Sequence, residues 1–294
     1  MTKLIDGKEI AISIKNEIAN EVRKLQDEGK RIPHLAAVLV GEDPASKTYV
    51  ASKERSCKEV GFTSSVYKYP ASTSEKELLE IVEFLNNDPE IDGFIVQLPL
   101  PKHINADKVI DAINYKKDID GFHPQNVGRM TLGLPSYIPA TPMGIMTLIE
   151  RLNIETSGKN CVVVGRSNIV GTPMSSLLSR NNKLGNATVT LCHSRTKDLP
   201  EIVRNADIIV AAIGKPDFIT GDMVKQGAIV IDVGINRVED ASIEKGYRIV
   251  GDVKFDEVAP KCSYITPVPG GVGPMTIVAL LLNTFKAYKK EIYG

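Results

Sequence analysis

Short apolar runs alternate with helical patterns along almost the whole chain, and that alternation constrains the fold more than any other feature. H-L-A-A-V-L-V at 34–40 is followed by G-E-D-P, as at the end of a buried strand, and residues 46–60 then read as a helix stopped by Gly61. F-T-S-S-V-Y-K-Y at 62–69 suggests a second strand, and Ser74 with Glu77 has the spacing of a capping box for a helix to residue 87. G-F-I-V-Q-L-P-L-P at 93–101 reads as a strand broken by prolines, and 106–113 as a helix. A second series follows, with strands at 161–165, 187–192, 207–213 and 228–233 and a last amphipathic helix at 275–290 that ends in K-A-Y-K-K. Such alternation argues for mostly parallel sheets covered on both faces.

Between 118 and 140 the pattern weakens into D-I-D-G-F-H-P-Q-N-V-G-R and L-P-S-Y-I-P-A, which marks a boundary. A new helix is expected at Thr141–Pro142, a capping threonine before a proline in the first turn. The fold class is therefore α/β with two lobes. The first is an N-terminal parallel α/β substrate domain at 1–139, completed by a C-terminal helix at 275–294 that returns to it. The second is a Rossmann-like dinucleotide domain at 140–274, and the cleft between the lobes is the natural ligand site.

Composition excludes several classes. Lys and Arg number 36, as do Asp and Glu, so there is no general pull toward nucleic acid or an acidic membrane, and any phosphate must be held by local groups. Cys57, Cys161, Cys192 and Cys262 form no C-x-x-C pair and the four histidines are scattered, so reduced thiols and no metal site are expected. No apolar leader opens the chain and no apolar run is long enough to span a bilayer, so a cytoplasmic protein without membrane partners is expected.

C-V-V-V-G-R-S-N-I-V-G-T-P at 161–173 has the strand, glycine turn and helix of a dinucleotide site. Gly165 and Gly171 match the outer glycines at a spacing one residue longer than usual, and Ser167 stands after Arg166 where the middle glycine is expected. A tight strand-to-helix turn with no ligand is the alternative. The next strand, T-V-T-L-C, ends in His193-Ser194-Arg195 with no carboxylate. An acid there would hold the ribose hydroxyls of NAD and repel a 2′-phosphate, whereas Ser194 and Arg195 would bind one. NADP is the cofactor this points to, with Arg195 as a solvated surface residue the competing reading.

In the first lobe Tyr49 and Lys53 are four apart on one expected helix, so they share a face. Gln97 stands at the carboxyl end of an apolar strand, either as a structural hydrogen-bonder or as a site residue. Asp118 suits a turn, which leaves Asp120 open. P-G-G-V-G-P-M-T at 269–276 leaves room for close backbone approach, as a binding loop, a hinge or both.

Together G-E-D-P-A-S-K-T-Y-V-A-S-K, V-Q-L-P-L-P, K-D-I-D-G-F, G-R-S-N-I-V-G-T-P, D-V-G-I-N-R and P-G-G-V-G-P-M-T resemble the signatures of one family. That family is the bifunctional methylenetetrahydrofolate dehydrogenase/methenyltetrahydrofolate cyclohydrolases. The resemblance spans essentially the whole chain, with Ala140 where the family often has cysteine. It implies oxidation of 5,10-methylenetetrahydrofolate with NADP and hydrolysis of the methenyl product to 10-formyltetrahydrofolate. It also implies residue roles: Lys53 as the central catalytic group, Gln97 as its hydrogen-bond partner and Tyr49 as its neighbour in the folate pocket, with Leu98 beside them. Asp120 would hold the pterin, and Pro269, Gly270, Gly271, Gly273 and Pro274 would line the folate site. Gly165, Arg166 and Ser167 would hold cofactor phosphates, Ser194 the 2′-phosphate, and Ile235 the nicotinamide end. A homodimer is implied as well. The alternatives are a single one of the two activities, an NADP-dependent dehydrogenase of another small substrate such as a shikimate-type enzyme, and a folate- or nucleotide-binding protein without activity.

Overall fold

The structure, a computed structural model, describes residues 2–244 and 246–293. Met1, Lys245 and Gly294, which the expected lobes include, lie outside the described residues. One compact unit comprises Met1–Ala11 with Thr141–Thr276, and the other Ile12–Ala140 with Ile277–Gly294. The first residues thus group differently from the expected 1–139 lobe, and the reason is a strand. β1 (Lys3–Leu4) pairs in parallel with a strand at Tyr264–Ile265, Ile5 N donates to Ile265 O at 2.8 Å, and Ile5 is fully buried. The partition falls within α1 (Gly7–Asp27).

The unit around Ile12–Ala140 holds a three-stranded parallel sheet. Its elements are β2 (His34–Val40), α2 (Pro44–Val60), β3 (Thr63–Tyr69), α3 (Glu75–Asn87), β4 (Gly93–Val96), α4 (Ala106–Ala112) and α5 (Pro124–Thr131). The strand order is β3-β2-β4. Central β2 is buried from Leu35 to Val40, which is why it reads as an uninterrupted apolar run. Asp43 caps α2 by accepting from Ser46 N, Pro44 opens it, and Gly61 closes it in the left-handed region at φ 81°. The capping box of Ser74 and Glu77 is present on α3. Ala36, Val38 and Val40 pack with Leu78, Val82 and Leu85 of α3 and with Phe94. β4 ends at Val96, short of the expected residue 101, although Gln97 N still donates to Val38 O. Pro99 and Pro101 have no N–H with which to continue a ladder.

The other unit contains α6 (Ala140–Arg151), β5 (Asn160–Val164), α7 (Gly171–Ser179), β6 (Thr188–Cys192), α8 (Leu199–Arg204), β7 (Ile208–Ala211) and β8 (Ile229–Asp232). An antiparallel pair, β9 (Asn236–Glu239) and β10 (Tyr247–Val250), precedes α9 (Phe255–Val258) and β11 (Tyr264–Ile265). Six parallel strands follow the order β1-β11-β8-β7-β5-β6. From β5 the chain crosses first to β6 on one side and then to β7 on the other. The carboxyl ends of β5 and β7 are therefore the switch point at which doubly wound sheets take their ligands.

Two helix expectations change. α6 begins at Ala140, so Thr141 lies inside its first turn rather than capping it, and its hydroxyl is 3.1 Å from that of Thr276. α10 (Val272–Tyr288) shows no exposed residue, so it is enclosed rather than amphipathic, and even Asn283 and Thr284 are buried. Among the described residues no helix is long and apolar enough to cross a membrane.

Candidate active site

Lys53 lies on the third turn of α2, a helix whose entry is fixed by the Asp43 cap and Pro44. Its side chain is enclosed, with 9 % of the residue exposed, and Nζ donates to Gln97 Oε1 at 3.0 Å. Gln97 follows directly on β4, and its Nε2 donates to Leu98 O at 2.6 Å, which fixes the orientation of the amide. Burial pushes the Lys53 ammonium below the ordinary lysine range, and the charge of Asp120 opposes part of that shift. Asp120 in turn is pushed up to about 6 by burial, with Lys53 pulling it down and Asp118 pushing it up. The neutral amine is thereby brought closer to neutral pH.

The two aspartates of D-I-D-G divide their work. Asp118 is 1 % exposed and accepts from Phe122 N, His123 N and Asn126 Nδ2, so it is consumed by its own loop. Asp120 keeps both carboxylate oxygens without a hydrogen-bond donor among the described residues, while its carbonyl accepts from Ala140 N. Gly121 lets this turn close: its φ is +74°, and a Cβ would lie 2.6 Å from Ile138 C. Tyr49, four residues before Lys53 on α2, is 40 % exposed, and Leu98 is half-buried.

In the other unit Gly165 and Gly171 are required by close approach rather than by a ligand alone. A Cβ on Gly165 would lie 2.0 Å from Ala212 O, and one on Gly171 would lie 1.8 Å from Gly165 O. Ser167 explains the missing middle glycine. Its Oγ accepts from Val170 N at 3.2 Å and Gly171 N at 3.4 Å, and its carbonyl accepts from Thr172 N. The first N–H groups of α7, expected to be open to a phosphate, are thus satisfied by Ser167, whose own O–H is left as a donor. Parallel register places Val164 beside Cys192, so Gly165–Ser167 and His193–Arg195 leave the same edge of the sheet on adjacent strands. Ser194 and Arg195 stand on an exposed turn in which His193 Nδ1 accepts from Arg195 N. Neither Arg166 nor Arg195 has a carboxylate partner among the described residues. An anion fits here: two exposed, unpaired guanidiniums, free hydroxyls on Ser167 and Ser194, and no acid at the end of β6.

Ile235, 49 % exposed, follows β8, and a Cβ on Gly273 would lie 3.8 Å from its Cδ1. The glycine-proline loop belongs to this unit, where Gly270 O accepts from Lys8 N and Gly271 N donates to Pro267 O. Pro269 is exposed, Gly270, Gly273 and Pro274 are half-buried, and Gly271 is buried. The expected residues therefore form two groups. Tyr49, Lys53, Gln97, Leu98 and Asp120 lie in one unit; Gly165, Arg166, Ser167, Ser194, Arg195, Ile235 and the loop lie in the other.

Two aspartates beside the second group escaped sequence reasoning. Asp252, fully buried, accepts from Ile213 N, Gly214 N, Lys215 N and Asn236 Nδ2 at 2.6–3.0 Å. Asp232 accepts from Gly234 N, Asp252 N and Val253 N, and burial together with the Asp252 charge pushes it up to about 7. They tie the turn after β7 to the segment bearing Ile235. Carboxylates that end apolar segments in I-D-V-G and V-G-D-V were the available signal.

A doubly wound parallel sheet with an anion-ready glycine turn, together with a second α/β unit that encloses a lysine, defines a nucleotide-dependent dehydrogenase. Residues 5–120 match the family model of the tetrahydrofolate dehydrogenase/cyclohydrolase catalytic domain, and 139–292 that of its NAD(P)-binding domain. The chain belongs to this family. It is 61% identical over 290 residues to the bifunctional protein FolD of Bacteroides thetaiotaomicron, covering 99% of each chain. The FolD methylenetetrahydrofolate dehydrogenase/cyclohydrolase structure from Campylobacter jejuni superposes with a TM-score of 0.92 at 47% identity, over 99% of this chain and 100% of that one. The Trypanosoma brucei enzyme, complexed with NADP and an inhibitor, gives a TM-score of 0.94 at 38% identity, over 100% and 99%.

Proposed function

We infer that the chain oxidises 5,10-methylenetetrahydrofolate to the methenyl compound with NADP and hydrolyses that product to 10-formyltetrahydrofolate, with Lys53 as the base of the second step. The observation that carries this reading is the enclosed Lys53–Gln97 pair, with Nζ held at 3.0 Å and its protonation disfavoured by burial.

Bound NADP supplies the hydride acceptor for the first step. For that step the chain supplies orientation. Arg166 and the Ser167 hydroxyl hold phosphate beside Gly165, Ser194 and Arg195 hold the 2′-phosphate, and Ile235 supports the nicotinamide end. Asp120, ionised and without a hydrogen-bond donor among the described residues, accepts from the amino and ring N–H groups of the pterin. Tyr49 and Leu98 are the folate-contacting side chains of their unit, and Pro269, Gly270, Gly271, Gly273 and Pro274 are the folate-binding residues of the other. The methenyl product is a delocalised cation, and a protonated lysine beside it would raise its energy. Neutral Lys53 instead takes a proton from water as the water oxygen attacks the cationic carbon, while Gln97 Oε1 holds Nζ in place. The C–N bond then breaks as the adduct's O–H becomes the formyl C=O: the departing ring nitrogen takes up a proton in exchange for the one the hydroxyl loses, and Lys53 gives its own proton to solvent.

A cytoplasmic homodimer completes the reading. The homodimer is supported by the family resemblance and by the outer edge of β3, where no strand pairs among the described residues, and sedimentation of the 32.0 kDa chain tests it. The central test is a time course with methylenetetrahydrofolate and NADP, in which reduced cofactor and formyl product should both accumulate above a no-enzyme control. Lys53→Met should cost on the order of 10²–10⁴-fold in cyclohydrolase rate while NADP affinity stays within about twofold. Full cyclohydrolase activity in that variant would remove Lys53 as the base.

A further inference from the structure

Asn283 is a polar residue in the middle of L-L-L-N-T-F, the most apolar stretch of α10, and it is 1 % exposed. A buried amide in such a place is retained only with partners. Its Nδ2 has two: Ile119 O at 2.8 Å and Ile138 O at 3.1 Å. These carbonyls bracket the Asp120 turn. Ile119 immediately precedes Asp120, and Ile138 is the residue against which Gly121 closes. The segment that follows this helix supplies a second hold on the loop. Tyr293 Oη donates to Asn126 Oδ1 at 2.6 Å, and Asn126 Nδ2 donates to Asp118 Oδ2 at 2.9 Å. The Tyr293 ring is packed edge-on against Tyr115 and Tyr137, with Arg129 over its face. The backbone of the Asp120–Gly121 turn is thus held on both sides, while the Asp120 carboxylate has no donor among the described residues.

We propose that Asn283, seconded by Tyr293, is a positioning residue for folate: it sets the direction of the Asp120 carboxylate through the Ile119 and Ile138 carbonyls. The proposal rests on the reading of Asp120 as the pterin-binding group. Asn283 touches no substrate. It turns the end of the chain into part of the folate site, because misplacing the acceptor by a fraction of an ångström weakens charge-assisted hydrogen bonds.

The experiment is a double-mutant cycle on the full chain, measuring KM for methylenetetrahydrofolate, KM for NADP and thermal stability. Asn283→Ala should raise the folate KM about tenfold or more, with the NADP KM within about twofold, and Tyr293→Phe should raise it by about two- to fivefold. Thr284→Val is the control for a buried polar change, since its hydroxyl bonds only Leu280 O of its own helix, and both KM values should stay put. Asp120→Asn should raise the folate KM, and adding Asn283→Ala to it should raise it little further. Full additivity of the two, or a folate KM unchanged in both Asn283→Ala and Tyr293→Phe, would overturn the proposal while leaving Asp120 in its role. An unchanged folate KM in Asp120→Asn would remove the underlying reading and the proposal with it. If Asn283→Ala does not fold, Tyr293→Phe, which deletes one hydroxyl, decides alone.

Discussion

Asp120 has opposite effects on stability and on binding. Its carboxyl is pushed up to about 6 from 3.8 by burial, so the folded chain takes up that proton before the unfolded chain does. The ionised group therefore costs about 1–3 kcal/mol at pH 7, a cost that fades as pH falls from about 6 toward 4. Asp120→Asn should raise the denaturation midpoint at pH 7, with the gain gone near pH 4, as chemical unfolding at a series of pH values would show. The unmodified chain should lose folate affinity below about pH 6, when the acceptor is protonated. Lys53 follows the complementary logic. Burial favours its neutral form, so hydrolysis should quicken as pH rises through its lowered titration.

At the scale of elements, the β5–α7 turn tests what a glycine is for. Gly171→Ala would force a Cβ to within 1.8 Å of Gly165 O, so NADP affinity should fall at least about tenfold, as fluorescence titration would report. Gly128→Ala on α5 meets nothing within 4 Å and should stabilise the fold by about 0.5–1 kcal/mol. The elements that were legible have the same physical origin as these contrasts. β2, β5 and β8 are buried on both faces and are written as continuous apolar runs, and α3 announces itself by its capping box. β1 and β11, at two residues each, are too short to have a period, and the N-R-V-E of β9 looks like surface. In the site, spacing and strand ends singled out Lys53, Gln97 and the glycine turn as candidates, and the family resemblance supplied their roles. Asp232 and Asp252 showed only as carboxylates ending apolar segments; their partners could not be read, because most are backbone N–H groups, which every residue but proline carries. Asn283 was hidden for the same reason: its partners are carbonyls far away in sequence.

At the scale of the whole molecule, each compact unit is closed by residues from a distant part of the chain. Ile5 is fully buried in the unit that carries the nucleotide loop, so Ile5→Ala should destabilise that unit by about 2–4 kcal/mol. Denaturation followed by NADP binding should register the loss earlier than denaturation followed by folate binding; coincident transitions at the unaltered midpoint would sink this expectation. The pairing of β1 with β11 also has a consequence for the order of events during synthesis. Residues His34–Val96 can form their sheet from neighbouring segments as soon as they emerge from the ribosome. Lys3 and Leu4 emerge before that sheet, yet their partners Tyr264 and Ile265 are made roughly 15–50 s later at ordinary elongation rates. Throughout that interval the Lys3–Leu4 segment must stay unpaired and out of wrong associations, and the exposed, lysine-bearing shortness of β1 makes it a poor template for them.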